Sequence, residues 1–286
     1  MPTILIIGSD SLIGRTLMVQ LQQAGARVIG TTRRSEVVDE SHVYLDLAGD
    51  IDQWQCCVLV DVVVICASVT KIEACGRDPV ATARVNVQGV TALAKNLAET
   101  GAFIIYLSSN AVFDGTRPNR RADDPLSPVT EYGRQKAEVE RQLSVLGETV
   151  SIVRFTKILE PRAGLLTGWL HALRKGEPIR PFCDMVMAPV PLSFASDVLC
   201  CLVNMRLPGV IQVSGERDIS YAQAACHIAC LIGARPALVQ PISSKEAGIP
   251  PEAAPAHTTL DTTRLRVEIG LKPPDAWSVI DSVLDL

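Results

Sequence analysis

The chain has 286 residues, long enough to bury a large core as one α/β domain or as a domain with an appended lobe. Hydrophobic residues make up 48%, charged residues 20%, and the net charge is −4 with no basic stripe, which argues against nucleic acid or a membrane surface as the main partner. The start, Met1-Pro2-Thr3, lacks the cationic stretch of a signal peptide, and no apolar run approaches the ~20 residues of a membrane span, so the expected setting is cytoplasmic.

In chain order, Ile4 to Ile7 reads as a strand, Ile13 to Ala24 as a helix, Ala26 to Thr31 as a second strand and Val43 to Asp46 as a third. Asp61 to Cys66 is β-branched through its centre, the composition of a strand buried on both faces. Val80 to Thr100 has helical periodicity and closes at Gly101. Phe103 to Leu107 is the next strand, Thr130 to Leu146 a long helix ending at Gly147, and Val150 to Phe155 a further strand. This alternation predicts an α/β fold, a Rossmann-type doubly wound parallel sheet over residues 1–160. Beyond it Pro161, Pro178, Pro181, Pro189, Pro191 and Pro208 interrupt short elements. Residues 161–286 are therefore expected to form a small substrate-binding lobe, with one strand and helix returning to the main domain.

Nine cysteines are scattered through mostly apolar surroundings. The adjacent pairs Cys56-Cys57 and Cys200-Cys201 suit neither disulfides nor tetrahedral metal sites. Cys226 and Cys230 bracket His227 on a helical stretch, but Cys commonly serves as a small core hydrophobe, so no metal is expected and the compartment is expected to be reducing.

The first strand runs into Gly8-Ser9-Asp10-Ser11-Leu12-Ile13-Gly14 and then a helix, the context in which a loop presents a helix N-terminus to a pyrophosphate. Gly8 would allow the tight turn and Gly14 close helix–strand packing, while Ser11 stands where a middle glycine normally lets the backbone approach the phosphates. The second strand ends in Thr31-Thr32-Arg33-Arg34, without the acid that binds a ribose 2′-hydroxyl. Two guanidinium groups there favour a 2′-phosphate, hence NADP over NAD. Asp46-Leu47 after the third strand is placed to meet the adenine, and Ala67-Ser68 after the fourth to let the cofactor cross the sheet edge.

Tyr132 and Lys136 are four apart on a helix, so they share a face, and they follow Ser109 by 23 residues. A neighbouring ammonium is expected to lower the phenol's pKa from its ordinary ~10, and a serine hydroxyl to hold a carbonyl oxygen against it. The order of glycine loop, Asp46, Ala67, Asn86, Ser108-Ser109 and Tyr132/Lys136 resembles the extended short-chain dehydrogenase/reductase family over roughly residues 1–160. More finely, Leu107-Ser108-Ser109-Asn110-Ala111-Val112-Phe113-Asp114-Gly115 and the stretch from Lys175 through Asp184 to Ala188-Pro189-Val190 are similar to the dTDP-4-dehydrorhamnose reductase-like, sugar-nucleotide-binding branch.

That resemblance implies Ser109, Tyr132 and Lys136 as catalytic residues, with Tyr132 the proton donor in ketone reduction and Lys136 also on the nicotinamide ribose. It implies Gly8, Ser11, Leu12, Ile13, Gly14, Arg33, Arg34, Asp46, Leu47, Ala67 and Ser68 at the cofactor, and Thr70, Asn110, Ala111, Lys157 and Pro189 at a keto-sugar substrate. Ala111 stands where the branch carries a tyrosine and Lys157 where it often carries a tryptophan, so the sugar can differ from the family's. A 4,6-dehydratase is disfavoured because Asn110 and Ala111 do not titrate. A 4-epimerase with tightly bound NAD, and a non-catalytic NAD(P)-binding regulatory subunit, both stay open. Relatives of this kind commonly pair through the helices near residues 85–100 and 130–146, which makes a homodimer possible.

Overall fold

The apolar runs of the first half become strands β1 (Thr3–Ile7), β2 (Arg27–Thr32), β3 (His42–Tyr44), β4 (Val62–Ile65), β5 (Phe103–Ser109) and β6 (Val150–Phe155). The computed structural model that carries them describes residues 2–56 and 58–285, so Cys57 lies outside the described residues. Short strands β7 (Ile158–Leu159), β8 (Val186–Met187) and β9 (Val190–Pro191) follow, then β10 (Gly209–Val213) and β11 (Ile219–Ser220). The main sheet has the order β10-β6-β5-β4-β1-β2-β3, and β1 pairs in parallel with both β2 and β4, as do β2 with β3 and β4 with β5. The order turns around at β1, and in such a Rossmann-like sheet the crevice beyond the carboxyl ends of β1 and β4 is where ligands bind. Ile4 to Ile7 and Val62 to Ile65 are essentially fully buried, each side chain stabilising the fold by about 1.5–3 kcal/mol relative to exposure.

The helices are α1 (Leu12–Gln23), α2 (Ile72–Arg77), α3 (Pro79–Ala83), α4 (Val90–Glu99), α5 (Glu131–Leu143), α6 (Gly164–Arg174), α7 (Leu192–Met205), α8 (Tyr221–Leu231) and α9 (Ala276–Leu284). No helix among the described residues is long and apolar enough to cross a membrane. The helix expected over Val80 to Thr100 is present from Pro79 to Glu99, but it is not α-helical throughout. A π-helical turn, Arg84–Gly89, joins α3 to α4, and its wider turn accompanies the bond that buried Asn86 makes to the loop after β4.

The chain divides into two compact units. The first comprises Met1–Val112, Leu126–Arg154 and Ser196–Ile211; the second comprises Phe113–Pro125, Phe155–Ala195 and Gln212–Leu286. The first unit's core joins Leu5, Ile7, Val63 and Ile65 of the sheet to Leu93 and Leu97 of α4 and to Val139 and Leu143 of α5. The second unit has its own core, in which Trp169 and Leu170 of α6 pack with Ile228 of α8 and Ile280 of α9. Its small pairings are β8 with β11, antiparallel, and β7 with β9, parallel.

Candidate active site

The loop after β1 is built by sterics. Gly8 has φ +81°, and a Cβ there would lie 2.7 Å from the Cβ of Ala67; at Gly14 it would lie 2.3 Å from the Gly8 carbonyl oxygen. Ser11 needs no such freedom, with φ −71° and ψ 162°. Its hydroxyl accepts from the Gly14 N–H at 3.1 Å and so caps α1. The residue that replaces the middle glycine thus has a local task that a glycine could not perform.

A cavity of about 320 Å³ opens beyond the strand ends, and Gly8, Ser11, Arg33, Asp46, Leu47, Ala67 and Ser68 line it. Leu12, Ile13 and Gly14 form the first turn of α1 behind the loop. Arg34 is engaged elsewhere: its guanidinium pairs with the carboxylate of Asp10, which also accepts from the Thr32 hydroxyl at 2.6 Å. Partial burial pulls the Asp10 carboxyl up, but the bonds from Thr32 and Arg34 outweigh it and hold its pKa below the ordinary value. The sequence reading passed over Asp10; its signal was a carboxylate inside the glycine loop.

On α5, Thr130 caps the helix by accepting from the Gly133 N–H at 3.1 Å. Gly133 lets the helix press on the turn after β5, since a Cβ there would fall 2.1 Å from the Ala111 carbonyl oxygen. The neighbouring half-buried Tyr132 is thereby brought to Ser109, whose hydroxyl acts to lower the phenol's pKa. The same hydroxyl accepts from the Ala111 N–H at 3.2 Å and lies 3.4 Å from the Asn110 side-chain oxygen. The Lys136 ammonium donates to the Leu107 carbonyl at 2.7 Å, and lies 4.7 Å from the Tyr106 ring centroid and 5.8 Å from that of Tyr132. Ser109, Tyr132 and Lys136 are therefore assembled in one place.

Their electrostatics correct one expectation. Burial pushes the Tyr132 phenol up to about 12, against the Ser109 hydrogen bond that lowers it, rather than down. Burial likewise pushes Lys136 down to about 8, with Glu140 opposing it. A lysine that titrates at about 8 is already neutral at the alkaline pH where a phenol of about 12 ionises, so it does not lower that resting pKa.

The supporting polar residues were mostly not legible in advance. Asn86 accepts from the Val69 N–H at 2.7 Å and the Ser68 hydroxyl at 3.1 Å, and donates to the Val69 carbonyl at 2.9 Å and to Gln135 at 2.8 Å. It therefore pins the loop after β4 to α5 beside Lys136. Behind Ser109, Ser108 donates to Glu140, which is paired with Arg154, both charged side chains being buried.

Of the residues expected at the substrate, Thr70 is exposed after β4, and half-buried Asn110 and Ala111 adjoin Ser109. Lys157 and Pro189 belong to the second unit, where the Lys157 carbonyl accepts from the Val190 N–H at 2.8 Å; Lys157 is exposed and Pro189 buried. Cys226 and Cys230 are exposed, and His227 instead meets Asp281 at 2.7 Å and stacks 4.8 Å from Trp277. Among the described residues, no group of three or more His, Cys, Asp or Glu is placed to hold a metal ion.

Several known proteins are similar to this chain. Methionine adenosyltransferase 2 subunit beta of Bos taurus is 33% identical over 138 residues, 48% of this chain and 41% of that protein, so the match spans less than half of that relative. The protein named "Probable low-salt glycan biosynthesis reductase Agl14" of Haloferax volcanii is 24% identical over 94% of this chain and 93% of its own length. The dTDP-4-dehydrorhamnose reductase of Bacillus anthracis, solved in complex with NADP, shares the fold with a TM-score of 0.84 at 20% identity, covering 98% of this chain and 97% of that one. A family model described as the RmlD substrate binding domain matches residues 2–285, and by that match the chain belongs to this family.

Proposed function

We propose that the protein is an NADP-dependent reductase of a keto-sugar, most naturally a nucleotide-linked one, with Tyr132 as the proton donor. The observation that carries this reading is the assembly of Ser109, half-buried Tyr132 and Lys136, with Gly133 packed on the Ala111 turn and the Lys136 ammonium 5.8 Å from the Tyr132 ring centroid. The cradle fits a dinucleotide: the Gly8–Ala67 contact leaves no room for a side chain, and Arg33 stands on the cavity wall where a 2′-phosphate would need a cation. NADPH, when bound, supplies the hydride.

The chain's own residues then handle the carbonyl oxygen. Ser109 offers that oxygen a hydroxyl donor, and Tyr132 delivers the proton that completes the alcohol. A phenol with a pKa of about 12 is fully protonated at neutral pH, as a donor must be. Once the proton is given, Lys136, cationic below about pH 8, faces the transient phenolate and stabilises it. High resting pKa and nearby cation thus play complementary parts. The reductase named among the full-length relatives and the NADP complex of a fold relative support the same reading.

The test is NADPH oxidation screened over nucleotide-linked and free keto-sugars. Turnover that survives undiminished in Tyr132→Phe would sink the mechanism, and no oxidation with any sugar would sink the reductase. A second reading, a subunit that binds NAD(P) and serves another enzyme, draws on the 33% identity to an adenosyltransferase subunit beta. A stoichiometric enzyme partner in pull-downs, together with no oxidation, would favour it.

A further inference from the structure

Glu140, one helical turn beyond Lys136 on α5, is a buried charge to which the mechanism above gives no task. Both side chains are 4% exposed. The Glu140 carboxylate accepts from the Ser108 hydroxyl at 2.5 Å and from the Arg154 guanidinium, through Nε at 3.0 and 3.1 Å and through Nη2 at 2.7 Å. Ser108 lies between Leu107, whose carbonyl receives the Lys136 ammonium, and Ser109, which meets Tyr132. Two successive rungs therefore tie α5 to the end of β5, and Arg154 ties both to β6.

A buried ion pair gives little net stability over an apolar pair of the same volume. Its place directly behind the three assembled residues is better explained by what it holds. We propose that Glu140 is the positioning residue for Tyr132 and Lys136: clamped by Arg154, it fixes the end of β5 against α5 through Ser108 and steadies the Lys136 ammonium between the Leu107 carbonyl and the Tyr106 ring. For the reaction it serves, this role rests on the reductase reading.

The groups that face Lys136 are Cys66 after β4, Cys75 on α2, Tyr106 on β5, and Tyr132 and Glu140 on α5, and of these Glu140 alone is a carboxylate. Desolvation works against the ammonium, and Glu140 is the largest influence that keeps its proton on. Removing that anion takes away the largest opposition to desolvation, so the lysine should lose its proton at a lower pH.

The Cε resonance of 13C-labelled lysine, assigned through Lys136→Arg, reports this titration without any turnover. In Glu140→Gln the midpoint should move about 1 pH lower, and the alkaline limb of NADPH oxidation should move with it. Should the unpaired Arg154 prevent folding, Glu140→Gln/Arg154→Met removes both charges and carries the same expectation. An unmoved midpoint in either folded variant overturns the role. Ser108→Ala cuts one rung and leaves the charge: kcat should fall about tenfold with the midpoint and NADPH affinity kept, and wild-type kcat would overturn the clamp on β5. If the wild-type protein oxidises no NADPH, the reductase reading fails, while the lysine midpoint still tests Glu140.

Discussion

Gly133→Ala is the perturbation whose magnitude follows most directly from the structure. The added Cβ would sit 2.1 Å from the Ala111 carbonyl oxygen and 3.2 Å from the Pro128 Cβ. A comfortable C···O separation is about 3.3 Å, so α5 or the turn at Asn110–Val112 must retreat by about 1.2 Å. The turn cannot yield freely, because the Ala111 N–H is bonded to Ser109. Overpacking of this size costs about 3 kcal/mol, offset by about 1 kcal/mol for alanine's better fit to a helix. The net loss of about 2 kcal/mol should lower Tm by about 4–8 °C. Tyr132 moves with its neighbour, and a misplacement of about 1 Å costs about a hundredfold in rate. Thermal unfolding and kcat/KM measured on one preparation check both numbers. A Gly133→Ala protein with wild-type Tm and turnover would refute the idea that this contact sets the distance from Tyr132 to Ser109.

Tyr132→Phe should lower kcat by at least about a hundredfold while leaving NADPH affinity, followed by fluorescence titration, nearly unchanged. Arg33→Ala should raise KM for NADPH more than for NADH, whereas Arg34→Ala should discriminate little because that guanidinium is committed to Asp10; equal effects of Arg33→Ala on both cofactors would remove the argument for a 2′-phosphate. Lys136 should contribute stability that grows with pH just above 8. There the folded protein has released the Lys136 proton while the unfolded chain, titrating near ~10.4, still holds it, giving a slope of up to about 1.4 kcal/mol per pH unit. The Cys66, Cys75, Cys200 and Cys201 thiols, all pushed up by burial, work the other way from about pH 8.5, so the lysine's part is read as the difference between urea midpoints of the wild type and Lys136→Met. That difference should grow with pH above 8, and a difference that stays constant would assign the shift to another group.

The sheet was legible because its strands carry their burial in their composition. Val62 to Ile65 and Ile4 to Ile7 read as strands from their apolar runs alone, and both are buried throughout. The π-turn within the helix expected from Val80 was not legible, since it answers to bonds that Asn86 makes with Val69 and Gln135, 17 and 49 residues away in sequence. Tyr132 and Lys136 could be paired from their spacing, yet the sign of the phenol's shift could not. It depends on how much water is excluded, which spacing does not encode. Glu140 and Arg154 gave no local signal at all, because each looks like an ordinary surface charge until the fold buries them together.

Strand β10 has a practical consequence for anyone who would cut this protein in two. β10 comes from Gly209–Val213, yet it pairs with β6, which ends at Phe155. A fragment that stops near residue 160 would keep the glycine loop, Ser109, Tyr132 and Lys136, but it would leave β6 as a raw edge of unpaired N–H and C=O groups. Such an edge recruits other strands, so the fragment should come out of expression as aggregate rather than as a working nucleotide-binding half. Any attempt to graft a new sugar specificity onto this scaffold must therefore exchange loops within the full chain, and leave the return through residues 196–211 untouched.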